Sequence, residues 1–218
     1  MFKMQNKYIL MLSLSVFFSF LINPKFCLYA TESDTIKIAP IGDSLTSEED
    51  GYRRYLYQML NQLMIPFDFV GVKQDKEDKF QYDTDHSGLP GYTIGPGPSL
   101  LDKYDKWKQG NILYHLYKGY CILSSDPDVI LLMIGINDFF NNLDTARYNP
   151  NVVGAERLDN LIYHIYRILP EVSILVSNIT PLRGSPRFAE IFNSEVESIV
   201  LKYQKQGHVC RLIDMRER

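Results

Sequence analysis

The sequence predicts an α/β domain, a three-layer α/β/α sandwich around a five-stranded parallel sheet. Two observations carry this. Short apolar runs rich in branched residues recur along the chain, and segments with apolar residues at helical spacing separate them. Continuous apolar runs suit strands covered on both faces, whereas half-exposed strands alternate. With 218 residues, 45% hydrophobic and 22% charged, the chain is long enough for one domain with a sizeable core.

The elements follow in order. Thr35 to Ile41 reads as a strand ending at Gly42. After a polar loop, Tyr52, Tyr55, Leu56, Met59, Leu60 and Leu63 keep helical spacing. Residues 67–72, FDFVGV, read as a second strand. Residues 73–110 are rich in Gly, Pro, Asp and Lys and read as a long irregular excursion. Long loops in compact domains are usually functional. Asn111 to Leu123 reads as a helix weakened by Gly119. Asp126-Pro127-Asp128 punctuates before 129-VILLMI-134, the central strand. Leu158, Leu161, Ile162, Ile165, Ile168 and Leu169 mark a helix stopped by Pro170. Residues 172–177 are a fourth strand, Phe188 to Tyr203 a strong helix, and 209–213 a fifth strand.

Residues 1–30 differ from the rest. Lys3 and Lys7 precede an uncharged run from Tyr8 to Ile22, and Ala30 offers a small residue for cleavage. This pattern predicts a secretory signal peptide, with 31–218 as the domain and secretion as the destination. The 15-residue run is short for a membrane span, so no stable span is expected after cleavage. An uncleaved membrane anchor is the alternative. Cleavage removes Lys3, Lys7 and Lys25 and takes the net charge from −3 to about −6. A chain so acidic is not expected to bind nucleic acid, which needs a basic face. Cleavage also removes Cys27, leaving Cys121 and Cys210, which either pair or stay as separate buried thiols. The histidines and cysteines lack metal-ligand spacing, and the loop after the first strand lacks a phosphate-cradling glycine pattern. No metal or cofactor is expected.

Open parallel sheets carry their sites at the carboxyl ends of the strands. Gly42-Asp43-Ser44 follows the first strand, Gly135-Ile136-Asn137-Asp138 the third, and 85-DHSGLPGYTIG-95 lies in the loop after the second. A serine on a sharp turn can project its hydroxyl while its own N–H faces a developing oxyanion. A glycine N–H from the loop and the Asn137 amide supply further donors. Each piece alone is also an ordinary turn. Their joint placement is what points to acyl transfer.

These blocks resemble the SGNH hydrolase superfamily, the GDSL-type esterases and lipases. "IGDSLT" resembles the first block, "HSGLPGYTI" the second and "PDVILLMIGINDF" the third. "LVSNITPL", Phe192-Asn193 and "LIDM" resemble weaker features in the same order. The resemblance implies a flavodoxin-like fold with Ser44 as nucleophile. It implies an oxyanion hole made by Ser44, Gly91 and Asn137, supported by Gly42, Asp43, Gly135 and Asp138. The substrate it implies is a carboxylic ester. The wording is closest to secreted carbohydrate-esterase-like members, so an acetylated carbohydrate is the substrate expected.

In that family the general base is a histidine in an Asp-x-x-His block after the last strand. None follows Asp214 here. A serine at its free pKa is a poor nucleophile without such a base. His208 begins the fifth strand, His164 sits beside a helical stripe, and His115 lies among packing residues. Only His86 lies at the catalytic edge, as a candidate substitute base. Asp214 is expected to cap or turn the chain. The expectation is therefore a C-terminally truncated esterase, weakly active or inactive, with one apolar sheet face left uncovered. A degenerate relative, a nonstandard base and a non-catalytic carbohydrate-binding module on the same fold are the alternatives.

Overall fold

The computed structural model describes residues 35–49, 51–75, 82–95, 110–117, 122–141, 150–180 and 186–215. The expected signal peptide, Cys27 and Cys121 lie outside the described residues. Strand β1 (Ile36–Gly42) leads into the short helix α1 (Ser44–Ser47) and then α2 (Tyr52–Gln62). Three short strands follow: β2 (Phe67–Phe69), β3 (Lys73–Gln74) and β4 (Asp85–Gly88). Next come α3 (Ile112–Tyr117), β5 (Val129–Met133), α4 (Ile136–Asn141) and α5 (Pro150–Ile168). Strand β6 (Ser173–Ser177), α6 (Pro186–Lys205) and β7 (Cys210–Ile213) complete the order.

The sheet runs β3-β4-β1-β5-β6-β7, and β2 pairs with β1 alone. Ile36 to Ile38 pair with Phe67 to Phe69, and Ile41 and Gly42 pair with Ser87 and Gly88. The position beside β1 is thus shared, β2 along its first half and β4 along its last residues. All these pairings are parallel except β3 with β4. The α/β class stands, with a mixed seven-stranded sheet in place of a purely parallel five-stranded one.

Two strands, β3 and β4, arise inside the segment expected to be irregular. Their sequences, KQ and DHSG, have no apolar run; β3 is an exposed edge strand, and the short β4 is joined by backbone pairing to β3 and β1. The helix expected over 111–123 covers Ile112–Tyr117, and residues 122–125 form a turn. The Gly-Ile-Asn-Asp segment is the start of α4, with Gly135 just before the helix and Ile136, Asn137 and Asp138 in its first turn.

The strands alternate their side chains between two cores. Ala39, Ile41, Ile130, Leu132 and Val176 pack with Leu158, Leu161 and Ile165 of α5 and with Phe192, Val196 and Val200 of α6. On the other face, Ile38, Val129, Leu131 and Met133 pack with Tyr52, Leu56 and Leu60 of α2. The sheet face expected to be bare is covered. Leu175 and Ile213 are 6% and 1% exposed, since they join Met215 and the α2 residues in that second core.

Phe192 shows how this packing reaches the site. Its ring is fully buried, and it lies 2.7 Å from where a methyl on Gly135 would sit and 3.3 Å from one on Gly154. Gly135, at φ +133°, also turns the chain from β5 into α4 in a conformation that other residues rarely adopt. Phe192→Ala should therefore cost about 3–5 kcal/mol of stability. Urea unfolding would show a lower midpoint at an unchanged slope. A midpoint within experimental error of the parent would contradict the packing described.

Candidate active site

The site is built where β4, β1 and β5 end side by side. Gly42 is in register with Gly88 on one side and Met133 on the other. The Leu89 N–H donates to the Gly42 carbonyl at 2.9 Å. A methyl on Gly42 would strike the Met133 carbonyl and the Thr46 hydroxyl, and one on Gly88 would strike the Ser47 nitrogen. Only glycine at both positions lets the β4 strand, the β5 strand and α1 approach so closely.

Asp43 starts α1. It is 1% exposed, and its Oδ1 accepts from the Leu45 N–H at 3.0 Å, a side-chain N-cap. Its backbone carbonyl accepts from the Thr46 and Ser47 N–H groups. Ser44, the first residue of α1, is exposed. The buried carboxyl of Asp43 is pushed up to about 7 by burial, with the Leu45 N–H lowering it and the nearby Asp138 raising it.

Beyond β4, Gly91 takes φ +77° and is partly exposed. The loop that carries it is tied to α4 twice. Asn137 Nδ2 donates to the Tyr92 carbonyl at 2.9 Å, and Asp138 Oδ2 accepts from the Ile94 N–H at 2.8 Å. An amide nitrogen carries two hydrogens, so Asn137 keeps a second to offer. Asp138 is fully buried and ion-paired with Arg157 at 2.7 Å. Burial still raises its carboxyl to about 6, against the lowering effect of Arg157.

His86 is engaged at both ring nitrogens. Nδ1 accepts from the Gly88 N–H at 2.9 Å, so Nε2 carries the proton and faces Asp75 Oδ1 at 3.1 Å. Burial, then the Arg53 charge, lowers its pKa to about 4 against the pull of Asp75. It is neutral at pH 7, with no lone pair left for a serine proton. The run 83-DTDH-86 has Asp-x-x-His spacing, yet Asp83 does not serve His86. The Asp83 carboxylate accepts from the Phe69 and Asp85 N–H groups, at 2.6 and 3.1 Å.

The other histidines have places of their own. His115 Nε2 lies 3.1 Å from the Tyr92 hydroxyl. His164 sits edge-on to Tyr163 on α5. His208 stacks on Tyr166 at 3.9 Å, at the amino end of β7 and so at the opposite edge from Ser44. Asp214 accepts from Asn178 Nδ2 at 2.8 Å, while Asn178 Oδ1 accepts from the Met215 N–H. This clasp ties the ends of β6 and β7 together.

Sequence reasoning missed two arginines. Arg53 is fully buried and donates through Nε to the Thr46 carbonyl at 2.7 Å. Its Nη2 pairs with Asp75 at 2.7 Å, and the Tyr82 hydroxyl lies 2.8 Å from the same oxygen. Arg53 thus holds the last turn of α1 from beneath. The available signal was position: Arg53 stands three residues before Leu56 and seven before Leu60, on the core stripe of α2. Arg157 is the second, adjacent to Leu158 of the α5 stripe.

Among the described residues no helix is long and apolar enough to cross a membrane, and no cluster of potential metal ligands occurs.

The profile of the GDSL-like lipase/acylhydrolase family matches residues 38–217. The chain belongs to that family. It is 33% identical over 181 residues to a multidomain esterase of Ruminococcus flavefaciens, covering 77% of this chain and 22% of that protein. The chain thus spans about a fifth of that relative's length. Among solved structures it is similar to a Clostridium thermocellum family 3 carbohydrate esterase. The TM-score there is 0.63 at 28% identity, over 83% of this chain and 78% of the other. An acetyl esterase mutant determined with an acetate ion gives a TM-score of 0.62 at 18% identity and shares the fold, over 83% and 79% of the two chains.

A buried carboxyl raised above its unfolded value of 3.8 binds its proton more tightly in the folded state. Asp43 therefore makes stability fall as pH climbs from about 4 to about 7. Asp43→Asn keeps the oxygen that caps Leu45 and removes the titration. Its melting temperature relative to the parent should rise steadily between pH 4 and pH 7 and level off above. A difference that stays constant over that window would show that Asp43 is not the titrating group.

Proposed function

We propose that this chain is a serine esterase acting on carboxylic esters, with acetylated carbohydrate as its substrate class. The observation that supports it most is one of placement. The Ser44 turn, the Gly91 loop and the Asn137 side chain lie past the carboxyl ends of adjoining strands. The Leu89-to-Gly42 and Asn137-to-Tyr92 hydrogen bonds link them. Family membership and the likeness to a carbohydrate esterase support the same class of substrate.

In this reading the Ser44 hydroxyl attacks the acyl carbon and gives up its proton. The carbonyl oxygen becomes an anion, received by the Ser44 and Gly91 N–H groups and by the second Asn137 N–H. The sugar alcohol leaves, and water then cleaves the acyl-serine to free acid and serine. The dipole of α1 adds little, because the helix has four residues. The proton transfer is the weak step, because His86 is committed to Asp75 and Gly88. Turnover should therefore be slow unless a group other than His86 takes the Ser44 proton.

The commitment of His86 also favours a second reading, a carbohydrate-binding module on the same fold. One experiment separates the two. Acetate release from acetylated oligosaccharides is followed with and without imidazole, which can accept the serine proton from solution. Slow release that imidazole accelerates, and that Ser44→Ala abolishes, is the expected result. Asn137→Ala should lower the imidazole-assisted rate by about 10²–10³ if its amide serves the oxyanion. Saturable glycan binding without Ser44-dependent release under either condition would favour the binding module and overturn the esterase.

A further inference from the structure

Arg157 comes from α5. It is 8% exposed, and the Asp138 it pairs with is fully buried. Asp138 spends one oxygen on Arg157 Nη1 at 2.7 Å and the other on the Ile94 N–H at 2.8 Å. The stem of Arg157 also packs on the same loop, since a methyl on Gly95 would lie 3.1 Å from its Cγ. Thr93 and Ile94 carbonyls accept from the Ile112 and Leu113 N–H groups, at 3.0 Å each, which fixes the far side of the loop to α3. Toward Gly91, Asp138 and Asn137 tie the loop to α4, while the Tyr92 N–H donates to the Leu89 carbonyl at 3.1 Å and the Tyr92 hydroxyl lies beside His115.

A buried carboxylate without its counter-charge takes up a proton or draws in water. Either change weakens its hold on the Ile94 N–H. The next residues toward the amino terminus are Thr93, Tyr92 and Gly91, and Tyr92 is where Asn137 is anchored. A loosened loop would therefore misplace two oxyanion donors together.

We infer that Arg157 is a positioning residue for the oxyanion hole, acting through the Asp138 carboxylate on the loop that carries Gly91. This rests on the esterase reading for its purpose, but the mechanical link can be tested without turnover. The experiment compares the full chain with Arg157→Met, which keeps an apolar stem, Arg157→Lys, which keeps the charge, and Asp159→Asn. Asp159 lies two residues along α5 in an exposed pair with Lys202, and serves as the control. Amide hydrogen exchange and acetate titration of the ¹⁵N-labelled backbone are recorded for each.

In Arg157→Met the Ile94 amide should exchange about tenfold faster or more, as loss of a charge-assisted hydrogen bond implies. Amides of β5 and β6 should change much less. Acetate-induced shifts at the Gly91 amide should need about tenfold more acetate, with Arg157→Lys recovering most of both effects. Asp159→Asn should match the parent. Uniformly faster exchange through the core, or an unchanged Ile94 amide, would overturn the inference by reducing Arg157 to general packing or to nothing. If Arg157→Met does not fold, Asp138→Asn decides, because it keeps an acceptor for Ile94 but loses the ion pair. Unchanged Ile94 exchange and acetate response there would equally overturn the inference. Absence of acetate shifts in the parent would count against the esterase reading and leave the exchange result to judge Arg157.

Discussion

Gly42 lies between two strands, with Gly88 in register on one side and Met133 on the other, and a methyl on it would strike the Met133 carbonyl and the Thr46 hydroxyl. Most features of the carboxyl edge depend on this closeness. The Leu89 N–H reaches the Gly42 carbonyl because the strands converge there. Asp43 is buried because α1 begins at once beneath the converging strands, and Ser44 is exposed because the turn at Asp43 lifts it out. Protein interiors are packed too densely to absorb an added methyl at such a point without moving a strand. The constraint is backbone against backbone, which is more rigid than contacts between side chains.

Around that point the fold buries several ionisable side chains. Asp43 and Asp138 lie at the edge itself, while Arg53 pairs with Asp75 and Arg157 with Asp138. Buried pairs add little net stability over a well-packed apolar pair, yet breaking one by removing a partner costs about 3–5 kcal/mol. Such pairs are better understood as fixing geometry. Arg53 fixes α1 through the Thr46 carbonyl, and Asp138 fixes the Gly91 loop through the Ile94 N–H. The two devices act on opposite sides of Ser44.

How much of this was legible in the sequence follows from how each part is stabilised. The central strands β5 and β6 are buried at every position, so β5 appears as an unbroken apolar run and β6 as one flanked by Ser173 and Ser177. Helices α5 and α6 show their apolar stripes because one face meets the sheet. Strands β3 and β4 leave little trace in the sequence because they are short, polar and held by backbone pairing. The three site blocks could be placed because they follow strands. The pairing of Arg53 with Asp75, 22 residues apart, could not, since nothing local in either segment specifies the other. Helix α4 is less legible, because Gly, Asn and Asp also favour turns, and here Asn137 and Asp138 sit in its first turn with their side chains bonded to the neighbouring loop.

The clasp at Asn178 has a broader meaning. It joins the ends of β6 and β7, through Asp214 and the Met215 N–H, on the side of β5 away from β1 and β4. Residues that would hold a substrate's charge are thus drawn from one half of the sheet. In the esterase reading, the proton-handling residues that the SGNH resemblance implies would follow the last strand, in the other half. The two halves share one platform, since β5 pairs with β6 and Leu175 and Ile213 lie in the same core as Leu131 and Met133. On that platform the two parts of the site would answer to different tethers, the first to Asn137 and Asp138 and the second to the Asn178 clasp.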